Sequence, residues 1–254
     1  MEESDYGDQF DLSTFERRVL SVVEPGFRRN QVRRHLLTVP AQTAAEHIEA
    51  LLQRCNRGDS QAEEIILSTV ELIETHEDPP VALAVEAIDL HARTHGMGGL
   101  SHFLLDPAPA RIPSAQARLG QSKRPDSMSL GERRALAAGW SPKHLERLLH
   151  DDDPMVIERL CANPRVQPQH IMQIITRRPC PPAVLVQVTR EPRWFRRREI
   201  RYALASNPYT PTGISLRILP TLGLIELQRL RNAGDLHEHL RTAAQYWIDT
   251  RTKP

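Results

Sequence analysis

The stretch RWFRRREIRYAL at residues 193–204 holds the densest chemistry in the chain. Arg193, Arg196, Arg197, Arg198 and Arg201 offer planar guanidinium groups that pair with phosphates or carboxylates, and Trp194 and Tyr202 offer rings on which a base can stack. Cations interleaved with aromatic rings point to nucleic-acid binding, whose strength comes chiefly from neutralising phosphates. The same residues suit a solvated arginine face with its rings packed beneath, an acidic protein partner, or the acidic half of this chain itself. No recognisable nucleic-acid-binding motif accompanies them in the sequence, which favours the solvated face.

Other groupings point less firmly to chemistry. His91 and His95 lie one helical turn apart, with Glu86 and Asp89 nearby and His102 beyond, a spacing compatible with a metal. The glutamate that an HExxH site needs between them is missing, and both share the flank of the apolar stripe carrying Ala84 and Ile88, so helix-edge histidines are expected. Asp151, Asp152 and Asp153 could bind a cation, but carboxylates before a helix are favoured by its exposed amides and dipole, which predicts capping. GMGG at 96–99 precedes no convincing helix and is not expected to cradle a phosphate. Cys55, Cys161 and Cys180 form no Cys-x-x-Cys pair and are expected to be reduced core or edge thiols. The sequence therefore nominates no catalytic, cofactor-binding or metal-binding residue and points to a non-catalytic role.

The elements that must position these residues are helices. Ser13 with Glu16, Thr43 with Glu46, and Ser60 with Glu63 match the capping-box spacing, and Asp78 before Pro79 makes a fourth start. Behind them Ile48, Leu51, Leu52 and Cys55, then Ala62, Ile65, Ile66 and Ile73, then Val81, Ala84, Val85, Ile88 and Ala92 recur at helical period. Gly58 and Gly96 sit where helix ends favour a left-handed residue. The short connections RGDS and HEDPP fold consecutive helices into antiparallel hairpins. No run alternates apolar with polar, so the predicted fold is all-α. Residues 1–96 form an N-terminal helical module. Residues 97–128, rich in Pro, Gly and Ser, form a linker that docks through Phe103, Leu104 and Leu105. Residues 129–254 form a second helical unit. Charge supports two modules: residues 1–127 hold 13 Lys+Arg against 20 Asp+Glu, while 128–254 hold 20 against 12.

The second unit repeats its punctuation. LCANPRVQPQHI at 160–171 is echoed by LASNPYTPTGI at 204–214. Pro142, Pro168, Pro182 and Pro211 each open an apolar pattern: Leu145, Leu148 and Leu149; Ile171, Ile174 and Ile175; Leu185 and Val188; Ile214, Ile218 and Leu219. Proline at a first helical position loses no hydrogen bond, and Ser141 and Thr210 are placed to cap. Val156 and Leu160 before Asn163 match Ile200 and Leu204 before Asn207, and Asn-Pro then stops the helix.

These residues, Asp153, Pro154, Val156, Ala162, Asn163, Pro164, Pro168, Ile171 and Ile174, then Ile200, Ala205, Asn207, Pro208, Pro211 and Ile214, resemble the leucine-rich repeat variant, a HEAT-like α-solenoid, over about 130–220. The resemblance implies a superhelix of stacked short helices and a role in binding another protein. The proline spacing is uneven and TRRPCPP at 176–182 lacks a partner helix, so the solenoid is irregular. The cysteine clusters that accompany such repeats in some relatives are missing, so no cofactor is implied. Leu236, Leu240, Ala243, Ala244 and Trp247 predict a C-terminal capping helix. The expected function is a scaffold for protein–protein interaction; the alternative is nucleic-acid binding along the arginines, as in HEAT-like DNA glycosylases, whose catalytic carboxylate has no counterpart nominated here. MEESDYGDQF lacks the basic flank and apolar run of a secretory signal, and no stretch is long and apolar enough to span a bilayer, so the cytoplasm and no membrane are expected.

Overall fold

The computed structural model describes residues 11–74, 78–114, 128–139 and 142–252, and among them the regular structure is entirely helical. The first five helices are α1 (Leu12–Leu20), α2 (Pro25–Thr38), α3 (Ala41–Asn56), α4 (Ser60–Glu74) and α5 (Pro79–Thr94). Helix α4 is the axle of this unit. Eleven of its 15 residues are buried, from Ala62 through Glu74, which requires neighbours on nearly every side. Helices α1, α2 and α3 supply them, and α5 lies across α2 and α3.

Two helix starts differ from the expected ones, and at a third the cap lies one residue earlier. Helix α1 begins after Asp11, and α3 begins at Ala41 behind Pro40, which leaves Ser13 and Thr43 inside their helices. At α4 the cap is Asp59, whose Oδ1 accepts the amides of Gln61 at 2.9 Å and Ala62 at 3.1 Å. An aspartate or a fixed proline φ one to three residues upstream competes with a serine or threonine for the same job. Asp78 does precede α5, but its carboxylate holds Arg33 of α2. Gly58 and Gly96 end helices at φ +93° and +67°, as their positions predict.

Part of the segment expected as linker is structured. Residues Gly98–Leu104 form α6, with Leu100 and Phe103 fully buried. Seven residues are too few to show a period in sequence. Its start is held by Glu49 of α3, whose Oε2 accepts the Leu100 amide at 2.5 Å. Gly99 permits that approach, since a Cβ there would lie 2.8 Å from both Glu49 Oε1 and the Trp247 ring. The following strand of chain runs along the second half: Arg111 N donates to Pro208 O at 3.0 Å, and Thr212 Oγ1 to Ala108 O at 2.8 Å. Residues 115–127 lie outside the described residues.

The second half holds α7 (Leu130–Gly139), α8 (Pro142–Leu149), α9 (Pro154–Ala162), α10 (Pro168–Thr176), α11 (Pro182–Thr189), α12 (Pro192–Phe195), α13 (Arg198–Ala205), α14 (Thr212–Ile218), a 3-10 turn at Leu219–Thr221, α15 (Leu224–Asn232) and α16 (Glu238–Thr252). Pro142, Pro168 and Pro182 occupy first helical positions, while Pro211 stands just before α14. Helices pack past their neighbours in sequence: α9 lies between α7 and α11, and α10 between α8 and, beyond α11 and the four-residue α12, α13. The stripes behind the prolines face this interior, with Leu148, Leu149, Ile171, Ile174, Ile175, Leu185, Val188, Ile214 and Ile218 all buried. Each buried Leu or Ile contributes about 1.5–3 kcal/mol, so neither row is stable without its neighbour.

Both Asn-Pro joints are built alike. Asn163 Oδ1 accepts the Arg165 amide at 2.9 Å, and its Nδ2 donates to Ala137 O and Ala138 O at 2.8 and 2.9 Å. Asn207 Oδ1 accepts the Tyr209 amide at 3.0 Å, and its Nδ2 donates to Ile175 O and Arg177 O at 2.5 and 3.2 Å. Each asparagine turns its own chain and also satisfies the terminal carbonyls of the preceding helix in its row. Asn163 stops its helix at an ordinary φ of −72°. Thr210 does not cap α14; its Oγ1 donates to Leu204 O at 2.7 Å. Ser141 lies outside the described residues.

Helix α16 buries Leu240, Ala243, Ala244 and Trp247 as expected, with Leu236 buried just before it. It packs against α15 and α14 and also reaches back to α3 and α6. Asn56 Nδ2 donates to Trp247 O at 3.0 Å, so the last helix is fastened to the first unit. No helix among the described residues is long and apolar enough to cross a membrane.

Candidate functional site

The arginine-rich segment lies at α12 and α13, where the second half meets α4. Trp194 is 0% exposed, and its Nε1 donates to Cys161 O at 2.8 Å. Arg193 lies over the Trp194 ring at 4.3 Å and donates to the carbonyls of Asn163, Pro164 and Val166 at 3.1, 3.2 and 2.9 Å. That guanidinium staples the α9–α10 joint. Arg198 pairs with Glu226 at 2.8 Å. Arg197 reaches Glu199 only at 3.8 Å and keeps 45% of its side chain in solvent. Tyr202 is half-buried beside Met172, Ile175 and Arg178 around a cavity of about 230 Å³.

Arg196 and Arg201 cross to the acidic half. Arg196 pairs with Glu64 and, at 3.3 Å, with Glu71. Arg201, 1% exposed, pairs with Glu63, donates through Nε to Thr221 Oγ1 at 3.0 Å, and reaches the carbonyls of Phe195 and Arg196 at 3.3 and 2.9 Å. Arg217 of α14 pairs with Glu74 in the same seam, and Arg28 of α2 shares Glu64. Glu63, Glu64, Glu71 and Glu74 fall on one side of α4, because their spacings turn them through roughly a quarter of the helix. Burial pushes the Glu71 carboxyl up, opposed by Arg196 and Arg29. Burial lowers the Arg201 pKa, and the Glu63 carboxylate opposes that shift.

The structure thus buries Trp194 and Arg201, half-buries Arg196, and leaves Arg193, Arg197 and Arg198 at the surface, Arg193 held by three carbonyls and Arg198 by a neighbouring carboxylate. The stacking ring is covered, and the charges of Arg196 and Arg201 face carboxylates of this chain. Their three glutamate partners on α4, Glu63, Glu64 and Glu71, carry no mark in the sequence that pairs them with these arginines. The signal that could have found them is the opposite net charge of the two halves.

The remaining candidates fall into place as helix chemistry. His91 and His95 stack with centroids 3.9 Å apart, His91 half-buried and His95 exposed. Among the described residues no group of three or more His, Cys, Asp or Glu gathers to hold a metal. Asp153 caps α9 by accepting the Met155 amide at 2.9 Å, whereas Asp151 receives both of its contacts to Arg133 at 2.6–2.7 Å and Asp152 faces Arg177 at 3.4 Å. All three cysteines are free and buried, and burial pushes the Cys55 and Cys161 thiols up to about 12. Such thiols are poor nucleophiles.

A different surface stands out on α5. Its inner side carries Val81, Ile88 and Ala92, and its outer side carries Leu83 and Leu90, 67% and 64% exposed, with exposed Glu86 and Ala87 between them. Two leucines seven residues apart sit on one helix face. The sequence pattern showed the inner stripe and hid this one, because two leucines on the far side of an amphipathic helix look the same whether they are enclosed or await a partner. Compared with protein-family models, curated proteins and solved structures, the chain matches none.

Proposed function

We propose that the protein is a non-catalytic helical-repeat scaffold that binds another protein, its second half an irregular stack of the leucine-rich-repeat-variant kind over about 130–220. The single observation that carries the binding role is the outward stripe of α5, where Leu83 and Leu90 stand about two-thirds exposed on one face. Large apolar side chains left in water a turn or two apart on one helix face, with Ala87 and Glu86 between them, favour a covering surface with a basic rim. The paired Asn-Pro joints and the alternation of two helix rows support the repeat reading. The compartment we propose is the cytoplasm, supported by three free buried thiols.

The test is affinity capture with the purified chain, followed by a binding titration with whatever protein is retained. Replacing both leucines, Leu83→Glu with Leu90→Glu, should weaken that partner by at least tenfold, since each buried Leu is worth about 1.5–3 kcal/mol. Its melting temperature should stay within about 2 °C of the parent because both positions are exposed. Undiminished capture by the double variant would refute the reading.

Nucleic-acid binding along Arg193, Arg196, Arg197, Arg198 and Arg201 has less support, because four of these guanidinium groups are engaged within the fold. Tight retention on DNA or RNA that falls steeply with salt and is lost on Arg197→Ala would favour it instead.

A further inference from the structure

Three rings from three helices form a column beneath α1. Phe15 of α1 stacks on His35 of α2 with centroids 3.8 Å apart and planes 16° off parallel. His35 in turn stacks with His47 of α3 at 5.2 Å and 14°, and His47 Nδ1 lies 3.1 Å from His35 Nε2. His35 is 9% exposed and Phe15 5%, while His47 is half-buried. A nitrogen–nitrogen contact at that distance needs one ring to donate and the other to accept. It holds with both imidazoles neutral or with one charged, and it fails when both carry two N–H groups.

We propose that the Phe15–His35–His47 column is an acid-sensitive latch, which holds α1 against α2 and α3 when the histidines share a proton and releases it when both are protonated. Release exposes Phe15 and Val19 and the apolar surface they cover.

The charged groups facing the pair are few. From α1 come Arg18, which disfavours charge on His35, and Glu16, which favours charge on His47, as does Asp11 just before the helix; from α3 comes Glu46, also favouring it. Among the described residues, α2 and α4 add no charge that acts on either ring. His47 is therefore the ring that takes the first proton. Burial, then His47 and then Arg18 hold His35 down at about 4, and burial lowers His47 as well. Once α1 leaves, both rings regain water and the ordinary imidazole value of about 6.5. Folded values below the free value mean that the open state binds more protons. The latch is accordingly at full strength above about pH 7 and weakens as pH falls from about 6.5 toward 4. From His35 alone the open fraction should rise roughly thirtyfold between pH 8 and pH 5. The Glu16–Arg54 ion pair also ties α1 to α3, and imidazole protonation leaves it in place.

The test is hydrogen exchange of residues 12–20 in the full chain between pH 8 and pH 5, corrected for the intrinsic pH dependence of exchange. Protection of α1 should fall by about the thirtyfold given above while that of α4 holds. His35→Phe keeps a ring against Phe15 and removes the larger titration, so its α1 protection should lose most of the slope across the range; His35→Gln should behave likewise if the first variant folds poorly. A flat profile in the parent, or an undiminished slope in the variants, overturns the latch. Imidazole proton resonances of the parent chain give a reading that needs no variant: one ring should still be neutral well below pH 6, and two rings titrating together at about 6.5 also overturn it. The outcome is independent of whether α5 binds a partner.

Discussion

Arg197 and Arg201 are one helical turn apart, yet they live in different media. Arg201 is enclosed, with Glu63, Thr221 and two carbonyls around its guanidinium, so removing it strands buried acceptors. Arg201→Ala should cost about 3–5 kcal/mol in urea unfolding, and Arg197→Ala less than about 0.5 kcal/mol. Equal effects would mean that the seam does not bear on stability. The sequence displayed both arginines and concealed the difference, because the partners of Arg196 and Arg201 lie 132 and 138 residues away. Cysteine was more legible: scattered thiols without a partner motif predict reduced core residues, and all three are buried. None of Cys55, Cys161 and Cys180 should react with a thiol reagent at pH 8 in the native protein, and all three should react in denaturant.

At the scale of elements, prolines and apolar periods were readable because they act locally. A proline fixes its own φ, and a stripe repeats within two turns. Helix starts shifted because several nearby side chains can serve the same amides, and α6 escaped notice because its hold comes from Glu49 and Trp247, far away in the chain. The Asn-Pro joints were visible as punctuation, but the work of the asparagine was not, since its carbonyl partners belong to another helix. Asn163→Ala should destabilise by about 1–3 kcal/mol in chemical denaturation, and Asn207→Ala by a similar amount. Asn163→Asp should do no better than alanine, since a carboxylate would face the carbonyls of Ala137 and Ala138 without a proton to offer. Full tolerance of the aspartate would show that the amide donor is dispensable.

Across the whole molecule, the opposite charges of the two halves are the surface trace of an internal contact. Acid on α4 meets base on α12, α13 and α14, and α16 returns to α3 and α6 beyond it. The halves are therefore expected to unfold together: calorimetry should give one transition whose calorimetric and van't Hoff enthalpies agree, and two separated transitions would contradict the seam. A boundary drawn from composition at 97–128 marks a change of chain texture. It misses the cohesion across it, which arises from side chains such as Phe103, Arg217 and Trp247 that meet only after folding.

The paired asparagines also set a rule for how this half could be lengthened or trimmed. Each one stitches a turn to the far end of the preceding helix in its own row, so excising a single helix would cut the thread at both ends, leaving carbonyls bare on one side and an amide without its berth on the other. Only a block that carries a turn together with the helix end it grips could be added or taken away with every stitch intact.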